Sequence, residues 1–467
     1  MKRFIITITL FTTTFLSFSQ SLEYQDLAIL FSQNDNNGSA RFTAMSAAFG
    51  ALGGDISSIN VNPAGLSVFK NSTFSGTFNS RNSEITSNYY GNSNTNQDQF
   101  INISHAGAVL VFDSAYSKDW SKFAIGFSYR IKKDFNDLFL SEGNSNRATF
   151  TEYPLDTNDP TFVYDIADKQ RYVNTNSGEL SELNVGFSSI HQNKLHVGLS
   201  LNFYDLNFTQ RSTLTEFNSD ANGNQLDANF YQENYTTGAG FSLNAGFIYK
   251  AHQNFRFGLA YQTPTWYTEI AEESNIINND GFFGDTEIIV SNDNLIYDNT
   301  SGGFFPSQGL IYRLKTPSQL TASAALIFGK NGLLSIDYVS KNYKNIKLSG
   351  DDFSVENQFF QNGIKNTHNV RLGTEWRFDR LSIRGGLSKK QTPNLNNILN
   401  EDSIVNYSDA EGYSFGAGYN FGNFKLDFAY SDNNRTATYN MYPGFNVNPS
   451  NLTIDNKIFT ATVTLDL

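Results

Sequence analysis

The chain has no cysteine in 467 residues. That excludes disulfide-stapled folds, thiol nucleophiles and cysteine-held zinc. Histidines number only five, and His191, His196 and His252 lie near short turns. That placement disfavours haem capture at a surface. No paired-carboxylate or Ser/His/Asp constellation stands out, so no enzyme, cofactor or metal is expected. An excess of positive charge is also missing: the formal net charge is -12, so nucleic acid is not an expected partner. The stretch "GALGGDISSINVNPAGLSVF" (50–69) is rich in glycine. No Lys-Ser/Thr follows its glycine run and no strand precedes it, which excludes a phosphate loop. Long apolar runs are absent apart from the start, "MKRFIITITLFTTTFLSFSQ". Lys2 and Arg3 precede an apolar stretch from Ile5 to Phe15, and Ser17 and Ser19 mark a cleavage site. The run falls short of the roughly 20 residues of a membrane helix. It reads as a signal peptide over 1–19, with a mature start at Gln20.

What is present is aromatic. Phe, Trp and Tyr make up 15 % of a chain whose mean hydropathy is negative, -0.38. Such a balance suits strands with one apolar face and one wet face, as in a transmembrane β-barrel. "FAIGFSYRIK" shows the pattern: Phe123, Ile125, Phe127, Tyr129 and Ile131 alternate with Ala124, Gly126, Ser128, Arg130 and Lys132. Side chains alternate faces along a strand. The same alternation runs through Val197–Phe203, Phe241–Tyr249, Val370–Phe378 and Tyr413–Phe421. Short turns at Gln192–Lys194, His252–Asn254, Gly329–Gly332, Asp379 and Gly422–Asn423 alternate with long polar connections, among them 81–101, 142–177, 271–307 and 436–455. Short turns on one side and long loops on the other are the asymmetry of an outer-membrane barrel. The alternation gives about 14 strands from Ser67 to Leu467, an even number as closure requires. In the last of them, "KIFTATVTLDL", Phe459, Ala461, Val463, Leu465 and Leu467 face lipid. It resembles the C-terminal signal read by the outer-membrane insertion machinery, with Leu in place of the usual Phe.

Residues 20–66 do not alternate. "SLEYQDLAILF" and "ARFTAMSAAFGALGG" carry small helical faces, which suits a hatch folded within the lumen or a periplasmic extension. Asn62-Pro63-Ala64-Gly65 punctuates a turn between this segment and the first strand. The expected fold class is therefore all-β: a transmembrane antiparallel barrel of about 14 strands, plugged by an N-terminal hatch of short helical pieces. The expected divisions are 1–19 leader, 20–66 hatch and 67–467 barrel.

Ala40-Arg41, the run Gly50-Ala51-Leu52-Gly53-Gly54-Asp55 and Asn62-Pro63-Ala64-Gly65-Leu66 resemble the hatch of the long-chain fatty acid transporter family (FadL/TodX type). "GLAYQTPTWYTEI" (258–270), "NVRLGTEWRF" (369–378) and "YSFGAGYNFGNFKLDFAYSD" (413–432) are similar to its later strands. The resemblance implies a 14-stranded barrel that takes up hydrophobic molecules at extracellular loops and releases them through a wall opening beside a strand kink. Strand 121–141 is the positional candidate for the kink, because "IKKDFNDLF" breaks the alternation of Phe123–Ile131.

Three groups of site residues follow. Gly53, Gly54, Asp55, Asn62, Pro63, Ala64 and Gly65 form the hatch. Arg130, Asp337, Arg371, Glu375, Arg384 and Asp427 are charges on the lumen face. Ionisable residues in a membrane-spanning element face the interior and pair. These either hold a ligand carboxylate or prop the barrel as an ion-pair lattice, the role expected of Arg371, Glu375, Arg384 and Asp427. Phe282, Phe283, Phe304 and Phe305 form an apolar pair of clusters in one long loop, suited to a first greasy groove or to capping the mouth. The expected partners are a hydrophobic small molecule and outer-membrane lipid, with the protein a monomer. A general pore and a surface binding protein (haem receptor or adhesin) are the competing functions.

Overall fold

The structure is a computed structural model. It describes residues 22–115, 118–148, 150–153, 162–278, 289–290, 307–395, 403–443 and 447–467. The leader, Gln20 and the loop phenylalanines Phe282, Phe283, Phe304 and Phe305 lie outside them.

Fourteen antiparallel strands close into a barrel. They are β1 Thr73–Tyr89, β2 Asn92–Asp113, β3 Trp120–Asp134 continued by Asp137–Gly143, β4 Ile166–His191, β5 Leu195–Ser219, β6 Gln225–His252 and β7 Phe255–Gln262 continued by Trp266–Asn278. Then come β8 Ser307–Lys315 continued by Gln319–Phe328, β9 Gly332–Lys341 continued by Lys347–Ser349, β10 Thr367–Phe378, β11 Leu381–Lys390, β12 Ala410–Asn420, β13 Phe424–Tyr439 and β14 Ser450–Asp466. The two breaks in β7 and β8 fall at the Thr-Pro pairs Thr263-Pro264 and Thr316-Pro317, where proline cannot donate to a ladder. β14 pairs with β1 from Asp466↔Thr73 to Asn451↔Asn88 and closes the sheet. Closure leaves no edge for a bilayer to solvate. One rim is made of tight turns. Gln192 and Asn193 both take positive φ, the geometry of a two-residue hairpin turn.

The strands outlast any bilayer. β5 has 25 residues, where about 9–11 suffice to cross. Its two ends have opposite polarity. From Leu195 to Phe203 the outer face is apolar, with Leu199, Leu201 and Phe203 exposed, while Gly198, Ser200 and Asn202 point inward. Beyond that the outer face reads Asp205, Asn207 and Arg211, and the inner face reads Tyr204, Leu206 and Phe208, all buried. β1 and β14 invert at the matching height. Phe78 and Phe459 are the last outward aromatics, and Ile85, Tyr89, Leu452 and Ile454 turn inward above them. A lower storey thus faces lipid, and an upper storey, at the long-loop end, is folded like a water-soluble domain. The upper halves of β1, β2, β4, β13 and β14 occupy much of what the sequence presents as polar loops, because their outward faces are hydrophilic.

Residues 22–68 lie inside this tube. Helix α1 (Tyr24–Phe31) stands in the upper storey with residues 25–31 all buried. Helix α2 (Ala40–Ala44) and two 3-10 turns, Ile56–Asn60 and Pro63–Val68, fill the lower one. The first strand begins at Thr73 rather than Ser67, because Asn62 caps the Pro63–Val68 turn and holds those residues helical. Asn62 Oδ1 accepts from the Ala64 amide, and proline suits the first helical position.

Candidate functional site

The lower storey is sealed by close approach. Lumen-facing glycines on successive strands leave room only for hatch atoms. A Cβ on Gly126 or Gly186 would meet Leu66 and Ile59, one on Gly246 would meet Asn62, and one on Gly373 would meet Met45. On Gly198 it would come within 2.4 Å of the Pro63 and Ala64 backbone. Inside the hatch, Gly53 (φ +62) and Gly65 touch backbone to backbone, a contact that no larger residue permits. Gly54 donates to the Gly65 carbonyl. Asp55 accepts from the Ser57 amide and the Ser39 hydroxyl, so its carboxylate organises hatch backbone.

The lumen charges divide by height. At the lower rim Glu375 receives Arg41 of the hatch at 2.7 Å and Arg384 at 2.7 Å, and Arg384 continues to Asp427 at 2.6 Å. These groups line a cavity of 710 Å³ on the short-turn side, together with Arg256, Arg377, Arg380 and Lys425. Arg371 does not join them. Its register partner is Asp337, which accepts from the Gly50 amide at 3.0 Å. Arg130 pairs with Glu182 at 2.7 Å.

Between the storeys lies a second charged level, of which the sequence reading names Arg371 and Lys132 but not Lys341, Lys390 or Arg435. Residues 32–37 run as a strap between α1 and α2. Lys341 donates to the Ser32 carbonyl at 3.2 Å, Arg435 to Gln33 Oε1 at 3.3 Å, Lys390 to the Asn34 carbonyl at 3.3 Å and Arg371 to Asn36 Oδ1 at 2.9 Å. Four buried or half-buried cations therefore rest on neutral oxygens. The buried Arg371 Nε has no partner. Lys132 stands 4.3 Å over the Tyr204 ring. Asp35 is the strap's one carboxylate, bonded to Lys133 at 3.0 Å. Burial alone would raise its pKa, but Lys133, Arg81 and Lys390 outweigh it and hold the group at about 2. Lys341, Lys390 and Arg435 carry on the inward parity of Asp337, Arg384 and Asp427 along the same strands, so the signal was there in the alternation.

Above this level the lumen holds an aromatic and aliphatic core beside a buried polar cluster of Gln170, Asn174, Gln210 and Glu216. Phe31 of α1 meets Phe135 and Phe208 edge to face at 5.7 and 5.6 Å. Leu27, Leu180, Leu206, Leu314 and Tyr312 join the same core. Asp26 of α1 borders the apolar core. It is buried and accepts from the Ser403 hydroxyl at 2.6 Å and the Ile404 amide at 2.9 Å. Burial pushes its pKa up to about 7.

The ladder of the wall is interrupted at the same height. β2 pairs with β3 only from Asp113↔Lys122 to His105↔Arg130. Above that, among the described residues, 92–104 of β2 have a ladder only with β1. β3 meanwhile shifts register between Ile131 and Lys133 and breaks at Phe135-Asn136. Its continuation, Asp137–Gly143, pairs only with β4 and folds inward. The Leu140 amide donates to Asn96 at 3.0 Å, and Ser141 reaches Ser450 at 2.7 Å. The bulge flips Phe135 from the outer face into the lumen. Strap residues take the carbonyls it frees: Asn37 donates to Ile131 and the Asp35 amide to Lys132, both at 2.9 Å. On the outer lip, Ile101 and Ile103 are 74% and 57% exposed.

These features define a class: a 14-stranded transmembrane barrel, filled by its own N-terminal segment and interrupted beside its third strand. Solved structures give the particulars. The chain has the fold of a Pseudomonas aeruginosa FadL homologue (TM-score 0.60, 14% identity, 92% of this chain and 98% of that one). It also matches the Pseudomonas putida toluene transporter TodX (0.53, 14%, 92% and 99%) and the CymD monoaromatic hydrocarbon channel (0.51, 11%, 93% and 99%). At these identities it is the fold that is shared. No family model and no curated protein sequence matches the chain.

Proposed function

We propose that the protein takes up hydrophobic molecules with an anionic head, long-chain fatty acids foremost, across a Gram-negative outer membrane after signal-directed export. The observation that carries this reading is the coincidence, at one height, of an apolar chamber above, a cation level, a sealed hatch below and a gap in the wall beside it. An apolar tail is stabilised in the upper lumen by about 25 cal/mol per Å² buried. The glycine-seated hatch blocks the way down, so the gap between β2 and β3 is the exit that keeps the tail out of water. Lys341, Lys390, Arg371 and Arg435 suit a carboxylate because each now holds a neutral oxygen, which a charge-assisted bond outcompetes. Arg130 and Asp337 position this level, whereas Glu375, Arg384 and Asp427 pin the hatch. Phe282, Phe283, Phe304 and Phe305 are proposed as the first greasy groove. Residues 20–66 act as the hatch and 67–467 supply the barrel; the protein works as a monomer and without catalysis.

Uptake of labelled oleate and of labelled toluene by intact cells tests the reading. The double substitution Lys341→Gln/Lys390→Gln lowers oleate uptake about tenfold, as loss of charge-assisted bonds implies, and leaves toluene unchanged. Equal losses for both ligands would reject the carboxylate role. A neutral hydrocarbon is the second reading, favoured by the TodX and CymD folds, and toluene uptake with no oleate uptake in the unmodified protein would select it.

A further inference from the structure

The short-turn rim has a charge opposite to that of the chain. The rim comprises residues 66–73, 111–123, 190–196, 249–256, 328–333, 376–382, 419–426 and 464–467. It holds ten lysines and arginines against four aspartates and no glutamate, in a protein of net charge -12. Four of the ten are engaged: Lys425 with Asp466, Arg377 with Glu375, and Lys122 and Arg256 with the Phe69 and Leu52 carbonyls. Lys70, Lys118, Lys194, Lys330 and Arg380 are exposed and form no salt bridge among the described residues. They sit at five different turns, so they encircle the barrel. Beside them the wall ends in an aromatic belt: Phe112 stacks on Phe123, Phe328 on Trp376 and Phe421 on Phe424. Such belts mark the level of lipid head groups.

We propose that this rim binds the anionic phospholipid head groups of the inner leaflet of the outer membrane, fixing the depth of the barrel. A lipid fits better than an acidic protein. The cations sit at separate positions around the rim beside the belt, Lys70 and Arg380 also bordering the cavity at its mouth, and a lipid annulus is the partner with that shape. Each exposed cation near an anionic surface is attracted to it, an attraction that falls off within a Debye length. The inference rests on the barrel crossing a bilayer, and not on what the barrel carries.

The protein supplies its own probe. It has three tryptophans, of which Trp120 and Trp376 are exposed on the rim. The full mature chain with Trp266→Phe is reconstituted into phosphatidylcholine vesicles in which either brominated phosphatidylglycerol or brominated phosphatidylcholine is the minor lipid. Brominated phosphatidylglycerol is expected to quench about twofold more per mole, a margin that added salt reduces. Exchanging Lys70, Lys118, Lys194, Lys330 and Arg380 together for Gln, all on exposed turns, is expected to level the two lipids. Equal quenching before that exchange, or a preference that survives it, overturns the proposal and points the cations toward a periplasmic protein. Quenching by neither lipid overturns the bilayer reading itself. Vesicles present the same lipid to both rims, so neither orientation nor transport enters the outcome.

Discussion

The lower and upper storeys are built from the same fourteen strands under opposite rules. Below, solvent is hydrocarbon: aromatics and leucines point out, and glycine, serine and charge point in, against a hatch that satisfies them. Above, solvent is water: Asp205, Asn207 and Arg211 point out, and Tyr204, Leu206 and Phe208 point in. The physics is one principle applied twice, since apolar surface leaves water in both. The consequence for a ligand is specific. Under the proposed function its tail enters the upper lumen and is kept out of the lower one, with the boundary where β3 leaves the wall.

The largest expected effect removes most of the filling and leaves only the Pro63–Val68 turn in the lower storey. Deleting residues 20–60 takes out α1, the strap, α2 and the Ile56–Asn60 turn with the Met45 and Ile59 contacts, while every strand remains. The barrel still inserts, and planar bilayers show a large steady conductance where the full chain shows little. An unchanged conductance would mean that the segment does not close the lumen, and the contrast between storeys would lose its meaning.

Glu375→Gln acts on the pin rather than the plug. It leaves the Arg41 and Arg384 guanidiniums without their shared carboxylate in a buried site. Removing one partner of a buried pair costs about 3 kcal/mol. Thermal unfolding in detergent, followed by the heat-dependent gel shift of the barrel, falls accordingly. Gly198→Ala is milder. Its added methyl meets hatch backbone that cannot rotate aside, and overpacking of this kind costs about 2 kcal/mol. An alanine at Gly76, where nothing lies within 4 Å, is the control and leaves the transition in place.

How far the sequence announced this follows the same division. In the lower storey the alternation of "FAIGFSYRIK" and "KIFTATVTLDL" is enough, because lipid demands an unbroken apolar face. In the upper storey the alternation persists but its phase inverts and its outer face turns polar. "SNLTIDNKIF" carries Leu452 and Ile454 inward and reads as loop to anyone looking for outward aromatics. Most of the cation level was missed for that reason: counting inward positions stops at the end of the apolar band, a few residues short of Lys341, Lys390 and Arg435. The register shift in β3 was visible as a break in pattern, but not where its carbonyls would go. That depends on Asp35 and Asn37, almost 100 residues earlier in the chain, and no local signal encodes such a contact.

The smallest expected effect concerns how firmly the upper filling is held. Asp26 places a carboxyl in an apolar chamber, and burial raises its pKa to about 7, against about 3.9 in an unfolded chain. A raised carboxyl pKa destabilises the docked state where the free group would be ionised. The penalty is absent below about pH 4, grows between there and pH 7, and is complete above. Docking of α1 therefore weakens as pH rises. Tyr407, which feels the field of Asp26, stays neutral across that window, since burial raises its pKa. Hydrogen exchange of residues 24–31, corrected for intrinsic rates, should show more protection at pH 5 than at pH 8. Asp26→Asn keeps an acceptor oxygen for the Ile404 amide and offers its NH2 to the Ser403 oxygen, removes the charge and should flatten the difference. If instead the unmodified protein shows equal protection at both values, the upper storey holds its helix by apolar contact alone. The two storeys would then differ in the direction their side chains face and not in how tightly each keeps its filling.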